Sequence, residues 1–375
     1  MLHLEQNRAL KPLTTFKIGG PAQYFASVNE PNDLLEALSF AQTEHLPVLI
    51  LGGGSNMLIS DTGFRGLVVQ IVNKGIELLS SSKPHKQHLR IASGEVWDAV
   101  VKFAVEHELW GIENLSRIPG RTGAVAVQNV GAYGQEISNV LLNVEAYDRK
   151  ENRFVTLSNI ECGFSYRQSI FNTREKNRYI ILYTTLELSK EPARNLSYPD
   201  VKKRFENTAQ PTLMEIRQAI KEIRDRKFPF PAESIEGNAG SFFKNSLISH
   251  EQFLELENKF AKNLPEQMSR LERHKPADDQ TQALIKIPSA FILDACGLKG
   301  YRRGDVMLNP AQPVIVLNVT GKATADEVLS VVHEVRNVVM EKTGLYLYIE
   351  PELIGFDTDE LKGYGFNDLE ITRFR

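Results

Sequence analysis

The run Pro47-Val48-Leu49-Ile50-Leu51 ends abruptly in Gly52-Gly53-Gly54-Ser55-Asn56. Apolar, β-favouring residues followed by three glycines read as a buried strand that delivers bare backbone to a ligand. Bare backbone commonly serves a phosphate. Consecutive N–H groups without Cβ atoms converge on an anion, and Ser55 and Asn56 add side-chain donors of the kind a diphosphate accepts. The glycines do not say which phosphate. A Walker loop would end in Gly-Lys-Ser/Thr, and a Rossmann turn would read Gly-x-Gly-x-x-Gly at the start of a helix. Neither is present: position 57 is Met57, and residues 57–61 read as a short extended segment before a Thr62-Gly63 turn. A glycine-rich hairpin without chemistry is the plain alternative.

Four other segments stand out. Residues 118–134 contain four glycines and one charge, with small side chains alternating with amides, so the backbone can come close to a flat, hydrogen-bonding partner such as an isoalloxazine or a base. A structural loop of small residues is the rival. In Phe164-Ser165-Tyr166-Arg167-Gln168-Ser169-Ile170-Phe171, a guanidinium among apolar and aromatic residues must pair with an internal acid or serve a ligand carboxylate. In Gly237-Asn238-Ala239-Gly240-Ser241-Phe242-Phe243, Ser241 follows a tight turn and is either a turn residue or a reactive hydroxyl. No Gly-x-Ser-x-Gly elbow makes it a hydrolase nucleophile. Glu350 precedes Pro351 at an expected strand end and is a solvated terminus or a functional acid.

The elements that must hold these residues follow from patterning. With 375 residues the chain has room for two or three domains, and a net charge of −3 with 24% charged residues excludes a global field for nucleic acid. The N-terminus lacks a signal-peptide core and no apolar run reaches membrane-spanning length, so a cytoplasmic protein is expected. Cys162 and Cys296 are too few and too isolated for a disulfide framework or a zinc site, and both read as packing residues; no metal is expected. The patterning predicts strands over 24–28, 47–51, 66–71, 89–92, 143–147, 179–183, 314–317 and 345–349. It predicts helices over 32–45 (N-cap Asn32 or Asp33), 95–109, 251–260 and 288–296, and one carrying Ile216, Ile220 and Ile223. Thr324-x-x-Glu327 is a capping box opening a helix that closes at Gly344. Residues 270–282 read as a loop, and the prolines Pro229 and Pro231 put a domain boundary near 229.

Taken together, Gly52-Gly53-Gly54-Ser55-Asn56, Ile118-Pro119-Gly120, Gln128-Asn129-Val130-Gly131-Ala132-Tyr133-Gly134, Tyr166-Arg167-Gln168-Ser169-Ile170-Phe171, Asn238-Ala239-Gly240-Ser241-Phe242-Phe243-Lys244-Asn245 and Glu350-Pro351-Glu352 resemble the UDP-N-acetylenolpyruvoylglucosamine reductase family, in its order and approximate spacing. The resemblance implies an α+β protein. An FAD-binding domain of the vanillyl-alcohol-oxidase type, with two α/β subdomains (1–75 and 76–229), would precede an α+β substrate-binding domain (230–348) and a C-terminal segment (349–375) returning toward the flavin. It implies non-covalent FAD, reduced by NADPH, and then UDP-N-acetylglucosamine enolpyruvate bound in the same pocket, in peptidoglycan precursor synthesis. Hydride would pass from the reduced flavin to C3 of the enolpyruvyl group, and Ser241 would deliver a proton to C2. Arg167 and Glu350 match the residues that polarise the carboxylate. Gly52, Gly53, Gly54, Ser55, Asn56, Pro119, Gly120, Gly123, Gln128, Asn129 and Gly131 match the cofactor contacts.

Among substrate contacts, Tyr198 resembles the tyrosine on the loop that covers the substrate in one of the family's two types. Lys227 and Asn245 match diphosphate and sugar contacts, and Tyr166 and Gln312 complete the set. Two departures stand out: Ala126 replaces a proline common in the family, and residues 270–282 have no capping tyrosine, leaving Lys275, His274 or nothing in its place. A monomer is expected, with no nucleic-acid or membrane partner. The rivals are a flavin oxidase of the same fold and a non-redox nucleotide-sugar-binding protein. Residues 52–61 contain no histidine or cysteine to tether a flavin, and the oxidase reading leaves Ser241 and Glu350 without roles.

Overall fold

A computed structural model describes residues 2–208, 210–227, 234–275 and 284–374. The chain divides into two compact units. The first comprises Met1–Arg8, Ala22–Gly54 and Arg65–Phe230, and the second Ala9–Pro21, Ser55–Phe64 and Pro231–Arg375. Two short N-terminal segments therefore group with the C-terminal unit, a sharing that contiguous boundaries do not express. The expected boundary at residue 229 lies outside the described residues.

In the first unit, strands Leu4–Ala9, Pro21–Val28, Phe64–Ile71 and Val48–Leu51 form a sheet in that order, with the last two parallel. The crossover helix Pro31–Thr43 buries Leu34, Ala37 and Ala41 on it. Its N-cap is Glu30 rather than Asn32 or Asp33: Pro31 occupies the first turn, and Glu30 and Asp33 cap each other reciprocally. A second, antiparallel sheet runs Arg153–Ser158, Leu141–Asp148, Tyr179–Ser189, Lys86–Ala92, Ile76–Leu79. Its last strand went unpredicted because only Ile76 of its four residues is even half-buried, which leaves no alternation to read. Helix Trp97–Glu106 packs Trp97, Val100, Val101 and Ala104 against this sheet. Helix Leu213–Asp225 carries Ile216, Ile220 and Ile223 onto Val105, Trp110, Val201 and Phe205.

In the second unit, helix Ala325–Thr343 starts at the Thr324 capping box and stops at Gly344, which is left-handed (φ 74°) as the sequence predicts. Two expectations fail. Residues 345–349 form no strand: Ile349 makes a single bridge to Phe243, and side chains described below hold the segment extended. The strand here is Glu352–Ile354, pairing in parallel with Met57–Ile59. The described part of the expected 270–282 loop is helical, in short turns Met268–Leu271 and Glu272–His274 anchored by buried Leu271; residues 276–283 lie outside the described residues. Cys162 and Cys296 are buried, and burial pushes their thiols up to about 12 and about 11, which suits packing rather than reactivity.

Candidate active site

The glycine loop of the first unit lies on the 118–125 segment. A Cβ on Gly53 would stand 2.6 Å from Gly120 Cα, so only glycine lets the two backbones meet. Gly54 is left-handed, at φ 59°. The missing Cβ of Gly52 has only Ala124 Cβ nearby, at 3.6 Å, so its bare face is open. The facing segment is fastened to residues 93–97: the N–H groups of Trp97, Thr122 and Gly123 donate to the carbonyls of Gly120 (3.0 Å), Glu95 (2.9 Å) and Ser93 (3.0 Å). Arg121 Nη1 donates to Gly94 O at 2.9 Å. Gly123 is a glycine because a Cβ would stand 2.7 Å from Ser93 Cβ. Ala126 has φ −74°, the angle a proline would fix, so the departure from the family's proline leaves the backbone where proline would put it.

Asn129 is 2% exposed and its amide serves the protein: Nδ2 donates to Glu136 Oε2 and to Ser165 O (both 3.1 Å), while Oδ1 accepts from Ser138 N. It therefore clamps the Gly131–Ala132/Gln135–Glu136 hairpin to the 165–168 turn. Arg167 sits at the tip of that turn, where Ser165 and Gln168 exchange backbone hydrogen bonds. Its φ of 57° is left-handed, which costs a non-glycine residue ~1–3 kcal/mol. The guanidinium donates to Gly131 O (2.8 Å) and stands 5.4 Å from the Tyr166 ring. A Cβ on Gly131 would meet Glu136 Cγ at 2.7 Å and Arg167 Nη1 at 3.2 Å, so that glycine is spent on the hairpin and on the arginine.

Also in the first unit, Tyr198 stands at the N-cap position of helix Pro199–Arg204 without a side-chain capping bond, and meets the buried Tyr133 ring edge-on at 5.1 Å. Lys227 Nζ lies 5.6 Å from the Tyr133 ring and donates to Asp200 Oδ2 at 2.8 Å. Burial disfavours the Lys227 charge, but Asp200, together with Tyr133 and Tyr198, outweighs it, and the pKa is raised. Tyr198 and Lys227, predicted separately, thus share a neighbour that sequence reasoning did not single out, although Tyr133 lies inside a quoted motif.

In the second unit, residues 241–244 run between two other segments. Phe242 N donates to Val314 O and Ser241 bridges Ile315, while on the other side Glu350 N donates to Phe242 O (2.9 Å) and Lys244 N to Tyr348 O (2.8 Å). Phe242 and Phe243 are buried and Phe242 packs edge-on against Phe16, so the backbone at Ser241 is anchored while its side chain is exposed. The turn before it is fixed by Asn238 Oδ1, which accepts from Gly240 N, and by Thr15 Oγ1, which donates to Asn238 O (2.7 Å). Gln312 sits in the 309–315 turn beside Ser241, its N–H on Asn309 Oδ1. Asn245 Oδ1 accepts from Ser289 N at the start of helix Ser289–Ala295. Lys244 was not singled out either. Burial lowers its pKa, with Arg373 acting the same way against Glu350, Glu352 and Glu370.

The sequence matches the family model for an FAD binding domain over residues 22–158, and that for the UDP-N-acetylenolpyruvoylglucosamine reductase C-terminal domain over residues 231–354. It is 35% identical over 348 residues to the UDP-N-acetylenolpyruvoylglucosamine reductase of Chromobacterium violaceum, covering 92% of this chain and 97% of that one. The chain belongs to the UDP-N-acetylenolpyruvoylglucosamine reductase family. The Escherichia coli K12 reductase is 34% identical, covering 93% of this chain and 96% of its own. A reductase structure from Thermus caldophilus shares the fold, with a TM-score of 0.63 at 22% identity over 94% of this chain and 99% of that one.

As a member of the UDP-N-acetylenolpyruvoylglucosamine reductase family, the chain is an FAD-dependent oxidoreductase that uses NADPH, and the expected α+β class with an FAD-binding domain holds. The first unit has room for that cofactor: Gly54 is left-handed and the missing Cβ of Gly52 leaves an open face, bare backbone of the kind a diphosphate can approach. Among the described residues, no helix is long and apolar enough to cross a membrane, and no three His, Cys, Asp or Glu side chains gather as metal ligands.

Proposed function

We propose that the chain reduces UDP-N-acetylglucosamine enolpyruvate to UDP-N-acetylmuramate with Arg167, Ser241 and Glu350 as its catalytic residues. Bound FAD would carry the hydride from NADPH to C3 of the enolpyruvyl group. As hydride arrives, negative charge grows on the carboxylate side of the substrate. A fixed guanidinium at Arg167, and the carboxyl of Glu350 if protonated, stabilise it. Ser241 then gives its hydroxyl proton to C2, completing addition across the C2–C3 double bond. The observation that carries this reading is the ribbon in the second unit, where an exposed hydroxyl on a pinned backbone sits one residue from Phe242, whose carbonyl holds the backbone of Glu350.

In the same reading, backbone at Gly52, Gly53, Gly54, Pro119, Gly120, Gly123 and Gly131, with Ser55, Asn56, Gln128 and Asn129, receives FAD. Asn129 contributes through its backbone, since its amide is already used. Tyr166, Tyr198, Lys227, Asn245 and Gln312 bind the sugar nucleotide. Residues 1–229 serve FAD, 230–348 serve the substrate, and 349–375 return toward the flavin. One chain carries both residue sets, which supports a monomer, and its composition supports a cytoplasmic location. The test is anaerobic: the purified protein is yellow, NADPH bleaches it, and UDP-N-acetylglucosamine enolpyruvate restores the colour mole for mole. A colourless preparation, or colour restored by oxygen but not by the sugar nucleotide, overturns the reading.

A further inference from the structure

Glu350 lies in a segment without regular structure, so its carboxyl is only as well placed as its backbone. On one side Glu350 N–H donates to Phe242 O. On the other stands Arg373, from the helix Asp368–Phe374. Arg373 Nη1 donates to Ile349 O at 2.7 Å and Nη2 to Glu350 O at 2.7 Å. These are the carbonyls of the two peptide planes flanking the Glu350 Cα, so one rigid fork brackets both of its backbone torsions. Pro351 restrains the residue further by favouring an extended conformation before it.

The helix that presents Arg373 is itself locked. Glu370, one turn earlier on the same face, is 2% exposed. Its Oε1 accepts from Arg336 Nη2 (2.7 Å) and Ile349 N (3.3 Å), and its Oε2 from the Tyr346 hydroxyl (2.5 Å). Arg336 Nε donates to Leu347 O at 2.9 Å. A buried ion pair is costly unless further hydrogen bonds offset its desolvation; the groups that supply them here belong to the segment leading to Glu350, while Arg336 Nη1 has no hydrogen-bond partner.

We propose that Arg373 is a positioning residue for the reaction, acting through Glu350, with Glu370 and Arg336 fixing the C-terminal helix that carries it. The proposal rests on the reading of Glu350 as catalytic. The test uses full-length holoenzyme, with NADPH bleaching and reoxidation by UDP-N-acetylglucosamine enolpyruvate followed separately by rapid mixing. Displacing a reacting group by about an ångström costs up to ~100-fold. Arg373→Ala should therefore slow reoxidation by ~10- to 100-fold while bleaching stays within about 3-fold of the parent. Arg373→Lys, which keeps the charge but cannot span both carbonyls, should fall in between and serves if the alanine variant does not fold. In a Glu350→Gln background, Arg373→Ala should add less than about 3-fold, because the group it positions has already lost its function.

Slow reoxidation in Glu350→Gln, with parental rates in both Arg373 variants, overturns the inference alone. So does an Arg373 effect that multiplies with Glu350→Gln or falls equally on both half-reactions. Parental reoxidation in Glu350→Gln overturns the reading of Glu350 and the inference with it.

Discussion

Alanine at Gly52 and at Gly53 should separate two reasons for a glycine that the sequence alone merges. At Gly53 the added carbon would lie 2.6 Å from Gly120 Cα and 3.0 Å from Gly120 C. Carbons in contact need about 3.5–4.0 Å, so the two segments must part by ~1 Å with or without cofactor. Overpacking on that scale costs ~1–3 kcal/mol. In a unit of this size that lowers the melting temperature of flavin-free protein by ~2–12 °C. At Gly52 the added carbon meets only Ala124 Cβ at 3.6 Å, an ordinary contact. Flavin-free Gly52→Ala should keep its stability to within ~0.5 kcal/mol. Its methyl would nevertheless stand on the open face proposed for the diphosphate, raising the Kd for FAD at least ~10-fold, about 1.4 kcal/mol. The assay is fluorescence titration of flavin-free protein with FAD, beside thermal melts. Parental FAD affinity in Gly52→Ala would refute the placement of the cofactor on this face, and a parental melting temperature in Gly53→Ala would refute the packing argument.

Tyr198→Phe and Lys227→Ala should each raise the KM for the sugar nucleotide, Lys227→Ala by ~10-fold or more, with flavin content unchanged; release of FAD from either would assign these residues to the cofactor instead. Asp148, buried and bound by Arg178 through two hydrogen bonds, has its carboxyl held down to about 2 by that partner. Its folded pKa is below the usual value near ~4, so its stabilisation is complete above that value and is lost as pH falls toward ~2. Asp148→Asn should therefore be less stable than the parent at pH 6, with the gap closing between pH 4 and 2 in urea melts at each pH. A gap independent of pH would contradict this.

Local signals were legible where the structure is local. Thr324, Glu327 and Gly344 are enough to bound the helix Ala325–Thr343, because capping is decided within a turn of each end. The glycine loop was legible as bare backbone, but not as packing, since Gly53 answers to Gly120, 67 positions away in sequence. The alternation of Leu345, Leu347 and Ile349 suggested a strand. That segment is held instead by Arg336, Glu370 and Arg373, and no periodicity reports a charged side chain capturing a distant backbone carbonyl or N–H. The parallel pairing of Glu352–Ile354 with Met57–Ile59 was invisible because it joins three-residue segments almost 300 positions apart through backbone alone. Ser241 and Glu350 stand out by motif alone, and the backbone bond from Glu350 N to Phe242 O that ties their two segments is one no local rule specifies.

The most direct test of the account is Ser241→Ala, read in the two half-reactions separately. Bleaching by NADPH needs no proton from the serine, whereas the enolpyruvyl group cannot be completed without one. Losing a positioned general acid costs ~10²–10⁴ in rate, about 3–5 kcal/mol of barrier. Rapid mixing of Ser241→Ala with NADPH should give bleaching within a few-fold of the parent, and mixing the reduced enzyme with UDP-N-acetylglucosamine enolpyruvate should give reoxidation at least ~100-fold slower. Equal impairment of both half-reactions, or reoxidation at the parental rate, would contradict the assignment of Ser241 as the proton donor.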